Sequence, residues 1–341
     1  MSRTYILLER IHVQNANCVA GLTFGFPAIT HFLGFSHALG LKLRDNYPID
    51  IQGCAVFCHA HESHTYQAKG FGDFTFIQRK ASPTFKKHAS SSPPIIEEGK
   101  MNLCVSLLLS CDHLYLSREQ EILNIKQQVM SQANRLKLAG GSITKIEGIS
   151  VYNQPESADD AELQVRLLKR KLMPSFVLCD RHSVLIEHYK TLKADNNDID
   201  LLEAWLDFSR LTYQAKSDSL TESINTSDSS FDRVEWVLKE KPAKGWLVPI
   251  MTGYSAIAPL QEKGEVIGAR SPEYPFSFVE AVYSIGEWLS THRISSIDAL
   301  IWQYHYEADW YLCRQSALSN LETTSDDYQY ESSVYEFNYD D

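Results

Sequence analysis

Gln14-Asn15-Ala16-Asn17, then Phe24-Gly25-Phe26-Pro27, then Gly34-Phe35-Ser36-His37-Ala38-Leu39 form the stretch that decides how this chain folds. Ahead of it, Tyr5–Val13 alternates Ile6 and Leu8 against Leu7 and Glu9 and then carries Ile11 and Val13, which predicts a strand. After it, Ile29, Phe32, Leu33, Ser36, Leu39 and Leu43 follow helical spacing. Pro27 suits a first helical residue, and Lys42 and Arg44 suit the negative end of the helix dipole. A strand therefore ends in two amides, a glycine turn follows, and an apolar helix opens. Such amides, beside exposed backbone N–H groups, can hydrogen-bond base edges and phosphates without catalysing anything. Asn15 and Asn17 project from one side if the strand stays extended; capping of a turn explains the same residues.

Outward from this stretch, Ile49–His59 reads as a second strand and Tyr66–Arg79 as a third, bent at Gly70 and Gly72. The polar, proline-rich Ala81–Pro94 reads as a projecting loop, and Met101–Ser110 as a strongly apolar strand. Arg118–Leu138 has Ile122, Ile125, Val129 and Ala133 on one helical face and stops at Gly140-Gly141, where a left-handed cap is expected. Ser142–Ile149 is the next strand. The order fits an α+β, split βαβ domain of ferredoxin-like type with a long insertion. Beyond Tyr152, helices are expected at Asp159–Leu172, Arg181–Leu192 and Asp200–Phe208, with strands at Ser175–Cys179, Trp236–Leu238 and Trp246–Ile250. Gln214–Asp232 reads as a flexible loop, and Phe276–Leu289 and Ile294–Trp302 as closing helices. The expected organisation is thus a core at 1–150 with a loop projecting near 80–95, a helical insertion with returning strands at 151–322, and an acidic, disordered tail at 323–341.

Charge limits the partners. The net charge is −11, but Glu322–Asp341 holds −7 and Asp195–Glu235 another −7, leaving +3 on the remaining body. That balance admits RNA at a local, shaped site and excludes the strongly basic signature of non-specific duplex binding. Seven cysteines scattered through apolar runs suit reduced thiols. No apolar stretch approaches a membrane span, and Glu9-Arg10 interrupts the first apolar run before any signal-peptide pattern develops, so a cytoplasmic protein is expected.

Several motifs, in order, carry a family resemblance. They are Gln14-Asn15-Ala16-Asn17, Phe24-Gly25-Phe26-Pro27, Gly34-Phe35 with His37-Ala38-Leu39, Glu97-Glu98-Gly99, Val105-Ser106-Leu107-Leu108-Leu109 and Leu138-Ala139-Gly140-Gly141-Ser142-Ile143. Further on come Gly245-Trp246-Leu247-Val248-Pro249-Ile250, Gly253-Tyr254, Ala269-Arg270 and Gly286-Glu287-Trp288-Leu289-Ser290 with His292-Arg293. Over about Tyr5–Trp302 the chain resembles the second Csy subunit family of type I-F CRISPR surveillance complexes, a five-type subunit among the RAMP proteins. The resemblance implies a ferredoxin-like (RRM-like, RAMP) domain with long insertions and a mixed α/β C-terminal extension. It also implies a non-catalytic role: holding the 5′ handle of the guide RNA (crRNA), pairing with the large Csy subunit in trans, meeting the Csy backbone subunits, and reaching target double-stranded DNA through the complex. Ser271 departs from the aspartate this family often carries after Ala-Arg, and the tyrosine-rich tail lies outside the pattern.

On this reading the RNA-binding candidates are Asn15, Asn17, Phe24, Arg135, Gly140, Gly141, Ser142, Lys145, Arg270 and Arg293. Gly140-Gly141-Ser142 can present backbone N–H groups to a phosphate, with Arg135 and Lys145 nearby; a helix cap accounts for the same glycines. Arg270 and Arg293 suit phosphates but could equally pair with Glu265, Glu280 or Glu287. Lys86, Lys87 and His88 read as a solvated loop. Cys54, Cys58, His59, His61 and His64 invite zinc, but Cys54, Val56 and Cys58 share one strand face and His59 and His61 the other, so no metal or cofactor is expected. His12, His31 and His37 offer no acid–base arrangement for a nuclease, His37 reading as packed core. Trp246, Trp288 and Trp302 can stack on bases or fill a core. An endoribonuclease of the same fold and a purely structural scaffold remain the competing readings.

Overall fold

The computed structural model describes residues 3–81, 96–116, 118–217, 234–266, 269, 271–307 and 309–315. The expected loop near 80–95, with Lys86, Lys87 and His88, lies outside the described residues apart from its first residues. So do most of the expected loop Gln214–Asp232, the tail after residue 315, and Arg270.

Strand β1 (Arg3–Asn17) is followed by α1 (Ile29–Leu43), β2 (Asp50–Ser63), β3 (Ile96–Asp112), α2 (Glu119–Ala133) and β4 (Gly141–Asn153). These strands lie in the order β2-β3-β1-β4, with every neighbouring pair antiparallel. Period-two alternation on either side of a register break between Leu8 and Ile11 sends Ile6, Leu8, Ile11 and Val13 to the face beneath α1 and α2, where they meet Phe32 and Leu39 of α1 and Ile125 and Val129 of α2. The opposite face carries Tyr5 and Leu7 of β1, Phe57 of β2 and Leu108 of β3. These pack under α3 (Ala158–Leu172) through Leu168 and Leu172, and under the segment holding Ile294, Ile297 and Leu300. Tyr5–Leu8 and Leu107–Leu109 are therefore buried on both faces, and their sequence reads as unbroken apolar runs.

The C-terminal half continues the sheet. β5 (Phe176–Asp180) leads into α4 (His182–Asp195) and the short α5 (Leu201–Leu206). β6 (Leu247–Ala256), β7 (Val279–Ser290), β8 (Trp302–Glu307) and β9 (Trp310–Gln315) complete the order β5-β7-β6-β9-β8-β2. β5 also pairs with β2, Phe176 opposite Cys58 and Val177 opposite Phe57, so this run of strands closes on itself. Trp302 is fully buried at the joint, opposite Cys54 of β2, and its indole N–H donates to the Leu178 carbonyl at 2.9 Å. Gln315 donates to the carbonyls of Leu178 (3.1 Å) and Leu300 (2.7 Å) and accepts from Asp180 N (2.9 Å). Gly53 lets the strands meet there: a Cβ on it would lie 2.0 Å from the Trp302 carbonyl oxygen.

Several expectations give way. Phe276–Leu289 is not a helix; Val279–Ser290 is a strand paired on both sides, by β5 and β6. Ile294–Trp302 is not a helix either: it follows the 3-10 turn Thr291–Arg293, holds one further 3-10 turn, Asp298–Leu300, and runs into β8. Tyr66–Arg79 is not one strand but a hairpin, Thr65–Tyr66 with Thr75–Phe76, followed by Gln78–Ala81; Gly70 and Gly72 take left-handed φ in its loop. Pro27 precedes the helix cap Ala28 rather than starting the helix. α2 ends at Ala133, so Gly140-Gly141 does not cap it. Instead Ala139 and Gly140 (φ +50° and +73°) form the two-residue turn joining Lys137–Leu138 to β4, the conformation such hairpins require. His37 is exposed, because the inward side of its turn is taken by Ser36 and Leu39.

Two outcomes follow. Gly53→Ala forces β2 and β8 apart and should cost about 1–3 kcal/mol or more, read from chemical denaturation. His31 on α1 has a buried Nδ1 without a partner among the described residues, and burial lowers its pKa below the ordinary imidazole value. The unfolded chain therefore takes that proton more readily, and stability falls as pH drops below about 6.5. The drop in melting temperature between pH 7.5 and pH 5.5 should narrow in His31→Phe; an unchanged drop contradicts the assignment.

Candidate nucleic-acid interface

The face of the sheet opposite α1 and α2 is covered only in part. Beyond Leu7 on β1 it carries Glu9, Arg10 and His12, flanked by Ser106 and Cys104 on β3, His59 on β2 and Lys145, Glu147 and Ser150 on β4. β1 breaks register between Leu8 and Ile11, and Arg10 takes a left-handed φ of +46°. Its backbone N–H turns to the Ser106 hydroxyl at 2.9 Å instead of a ladder partner. Strain of this kind in a non-glycine residue gathers at functional positions.

Around that break a hydrogen-bonded chain fixes the side chains. Arg10 N–H donates to Ser106 Oγ, which lies 2.7 Å from His59 Nε2, and His59 Nδ1 lies 3.0 Å from the Pro174 carbonyl. The carbonyl can only accept, so the proton is on Nδ1 and the serine donates to Nε2. Both ring nitrogens are thereby engaged, and burial lowers the His59 pKa, so the ring is neutral at pH 7. Glu147 gathers His12 Nε2 (3.1 Å), Lys145 Nζ (3.2 Å) and Arg10 Nε (3.8 Å). The hydrogen bonds from His12 and Lys145 hold its carboxyl below the usual range. Lys171, in the basic last turn of α3 with Lys169 and Arg170, reaches Glu9 at 2.8 Å. The carboxylates thus hold the cations in place without outnumbering them.

At the end of β1 the amides part company. A second bulge falls between Val13 and Ala16, and Asn15 takes φ +56°, so Asn15 and Asn17 do not project together from an extended strand. Asn15 is exposed, its backbone N–H on Asn102 Oδ1 at 3.4 Å. Asn17 turns back on its own chain, donating to the Val19 carbonyl at 2.8 Å and accepting from Val19 N at 3.2 Å, which is the turn-capping reading. The hairpin turn lies directly beside this bulge. Gln14 pairs with Ser142, and Asn17 N donates to the Ala139 carbonyl at 2.8 Å. Gly141 is required there, since a Cβ would stand 2.7 Å from Ala16 N and Gln14 O. Asn15, Asn17, Gly140, Gly141 and Ser142 are therefore brought together, with Lys145 three residues along β4 and exposed Arg135 just before the hairpin.

Asn17 also positions Phe24. Val19–Ala20 and Thr23–Phe24 form a small hairpin across Gly21, whose left-handed backbone packs on Tyr283, while Leu22 N donates to Tyr283 Oη at 2.9 Å. Phe24 is left 58% exposed with its ring 5.3 Å from Phe76. It stands at the mouth of a cleft of about 510 Å³. The other walls come from His59 and His61 at the end of β2, Phe176 of β5, and Trp246, Met251 and Trp288 of the C-terminal strands. Trp246 is 52% exposed and meets Phe176 edge-on at 5.1 Å. Trp302, by contrast, is core.

Arg293 is not brought into this cluster; it lies half-buried in the 3-10 turn Thr291–Arg293 after β7, an element that pairs with neither β1 nor β4. Cys54 and Cys58 face the helix-side core, where burial pushes both thiols up to about 12, away from the thiolate a metal needs. Sequence reasoning missed Arg10, Ser106 and Asn102. The one sign of the bulge that brings Arg10 to Glu147 is the three-residue step from Leu8 to Ile11 in the apolar positions of β1. Among the described residues, no helix is long and apolar enough to cross a membrane.

Residues 6–313 match the family of CRISPR-associated proteins designated Cas_Csy2. The chain is 36% identical over 326 residues to the CRISPR-associated protein Csy2 of Pseudomonas aeruginosa (strain UCBPP-PA14), a likeness that covers 91% of this chain and 94% of that protein. With nearly its whole length matched in both comparisons, the chain belongs to the Csy2 family of type I-F CRISPR-associated proteins.

Proposed function

We propose that this chain is a non-catalytic, cytoplasmic subunit of a type I-F RNA-guided surveillance complex, gripping the 5′ handle of the crRNA at the open end of its sheet. Family membership supports a place in that complex. The strand order β4-β1-β3-β2, all antiparallel, with α1 and α2 on one face, is the arrangement a ferredoxin-like core at 1–150 requires. The observation that carries the proposal is the surface where Arg10, His12 and Lys145, held by Glu147, continue into exposed Asn15 and the Ala139–Gly141 turn. Fixed cations take phosphates there, and amides and backbone N–H groups hold sugars or unstacked bases. Sequence recognition of target double-stranded DNA is left to the guide.

α3 and residues 291–301 cover the other end of this sheet face, so the RNA lies across one end of the strands rather than along the whole platform. The large Csy subunit and the Csy backbone subunits are the protein partners of this reading. Exposed Phe71 and Phe74 in the loop of the Thr65–Tyr66 hairpin, and Leu22 beside Phe24, suit such contacts. Catalysis has little to work with at the sheet: His59 has both ring nitrogens engaged, and His12 is held by Glu147.

Co-expression with the large subunit and a crRNA tests the reading. Arg10→Ala and Lys145→Ala should each weaken RNA binding whatever its sequence, and each should lower the magnitude of the log–log salt slope by about 0.7. Asn15→Ala should weaken binding at an unchanged melting temperature. Asn17→Ala should also lose about 0.5–1.5 kcal/mol of stability with its turn bonds. Wild-type affinity in the Arg10, Lys145 and Asn15 variants would refute the site. Repeat RNA incubated with the protein without metal should return uncut; site-specific cleavage would favour the endoribonuclease.

A further inference from the structure

Helix α3 is held to the sheet by one face only. Leu168 and Leu172 are buried beneath it, while Leu163 and Leu167, one turn apart on its outer side, are 50% and 40% exposed. Arg166 and Arg170 flank these leucines at the same helical spacing, and Lys169 and Lys171 complete the basic last turn. Between this side and Tyr152 of β4 runs a groove of about 370 Å³ walled by Leu167, Arg170 and Lys171. Arg166 pairs with exposed Glu162 at 3.2 Å and Lys171 with Glu9 at 2.8 Å, but among the described residues Lys169 and Arg170 meet no carboxylate. An apolar floor with a cationic rim suits a segment that mixes aromatic and acidic residues. The chain carries one: Glu322–Asp341 has seven acids and no Lys or Arg, interspersed with Tyr328, Tyr330, Tyr335, Phe337 and Tyr339. We propose that residues 322–341 dock on the outer side of α3, their rings on Leu163, Leu167 and Tyr152 and their carboxylates on Arg166, Arg170 and Lys171. This inference does not rest on the RNA reading above.

The reach is sufficient. Gln315, the last described residue, donates to the Leu300 carbonyl, and Leu300 packs in one cluster with Leu168 and Leu172 of α3. Gln315 also donates to the Leu178 carbonyl, and Leu178 lies six residues beyond Leu172, at most about 22 Å of extended chain. The step from Gln315 to Glu322 crosses the uncharged residues Ser316–Leu321 and can span about 25 Å, so the acidic run can begin at the C-terminal end of α3. From Glu322 to Asp341 there is more than enough chain to follow a 15-residue helix, which is about 22 Å long. Within that run Tyr335, Phe337 and Tyr339 alternate with Glu336, Asn338 and Asp340, so an extended backbone turns rings to one side and polar groups to the other. Exposed ion pairs are individually weak, but a short tether raises the effective concentration of its end to about the millimolar range. Contacts too weak to hold a separate peptide therefore suffice to hold this one.

The test is zero-length carbodiimide coupling of the full-length chain, co-expressed with the large subunit, followed by tryptic digestion and mass spectrometry. The reagent joins an amine only to a carboxylate in contact with it. Peptides joining Lys169 or Lys171 to residues 322–341 should appear, and the Lys171–Glu9 pair serves as the internal control. Two variants keep every charge: Leu163→Ser with Leu167→Ser, and Tyr335→Ser with Phe337→Ser and Tyr339→Ser. Each should cut the tail cross-link about fivefold or more at an unchanged melting temperature, as should Arg166→Gln with Arg170→Gln. Equal mixtures of isotope-labelled and unlabelled chain should give no mixed tail cross-links. Tail cross-links spread evenly over surface lysines, or unmoved by both serine variants, reduce the contact to unspecific charge and overturn the dock. Mixed cross-links assign the groove to the tail of a second copy, and cross-links from Lys169 or Lys171 to the large subunit assign it to that partner; either result overturns the proposal.

Discussion

The indole N–H of Trp302 on the Leu178 carbonyl is the contact on which the rest of the molecule depends. It lies where β2, from the N-terminal sheet, meets β5 and β8, from the far end of the chain, and the tryptophan is fully buried there. A buried indole N–H left unpaired would be costly, so its partnership with the mid-strand Leu178 carbonyl fixes one geometry and disfavours looser ones. Gln315 reinforces it by binding the same carbonyl and the Leu300 carbonyl. Because β5 is locked against β2, Phe176 and Trp246 face Phe24 and His59 across a cleft instead of drifting from them.

Polar residues at the sheet end divide between building and display. Asn17 and Ser106 spend their hydrogen bonds on the protein, Asn17 closing the turn before Phe24 and Ser106 tying Arg10 to His59. Asn15, Ser142 and Lys145 stay exposed. Glu147 belongs to both groups: it adds negative charge to a surface read as anion-binding, yet it holds two cations and a histidine in place, sparing entropy that free side chains would lose on binding. On the proposed reading, RNA phosphates would take over those cations from Glu147.

Much of the N-terminal half was legible because its code is local. The apolar alternation of β1, the 3.6-residue stripe of α1 and the run Leu107-Leu108-Leu109 each give one answer, and the strand order follows from connecting them. The C-terminal half was harder to read. Val279–Ser290 holds apolar residues at spacings that suit a helix as well as a strand, and only pairing with β5 and β6 decides it. The site was legible in composition and obscure in arrangement. The sequence places Asn15, Asn17 and Gly140-Gly141 far apart in number, and the register between β1 and β4 brings them together. What hid Arg10 was a bulge, which shifts every later side chain by one place and shows in the sequence only as the three-residue step from Leu8 to Ile11.

The close approach of Gly53 to Trp302 also bears on how the chain is made. The ribosome releases β2 long before β8 exists, and the edge that β8 will cover stays bare meanwhile. A nascent chain in that condition offers an open row of peptide groups to any other strand it meets. Expression hosts rich in chaperones, or slow translation at low temperature, should therefore favour soluble product over inclusion bodies, and truncations that remove Trp302 should be recovered chiefly as aggregate.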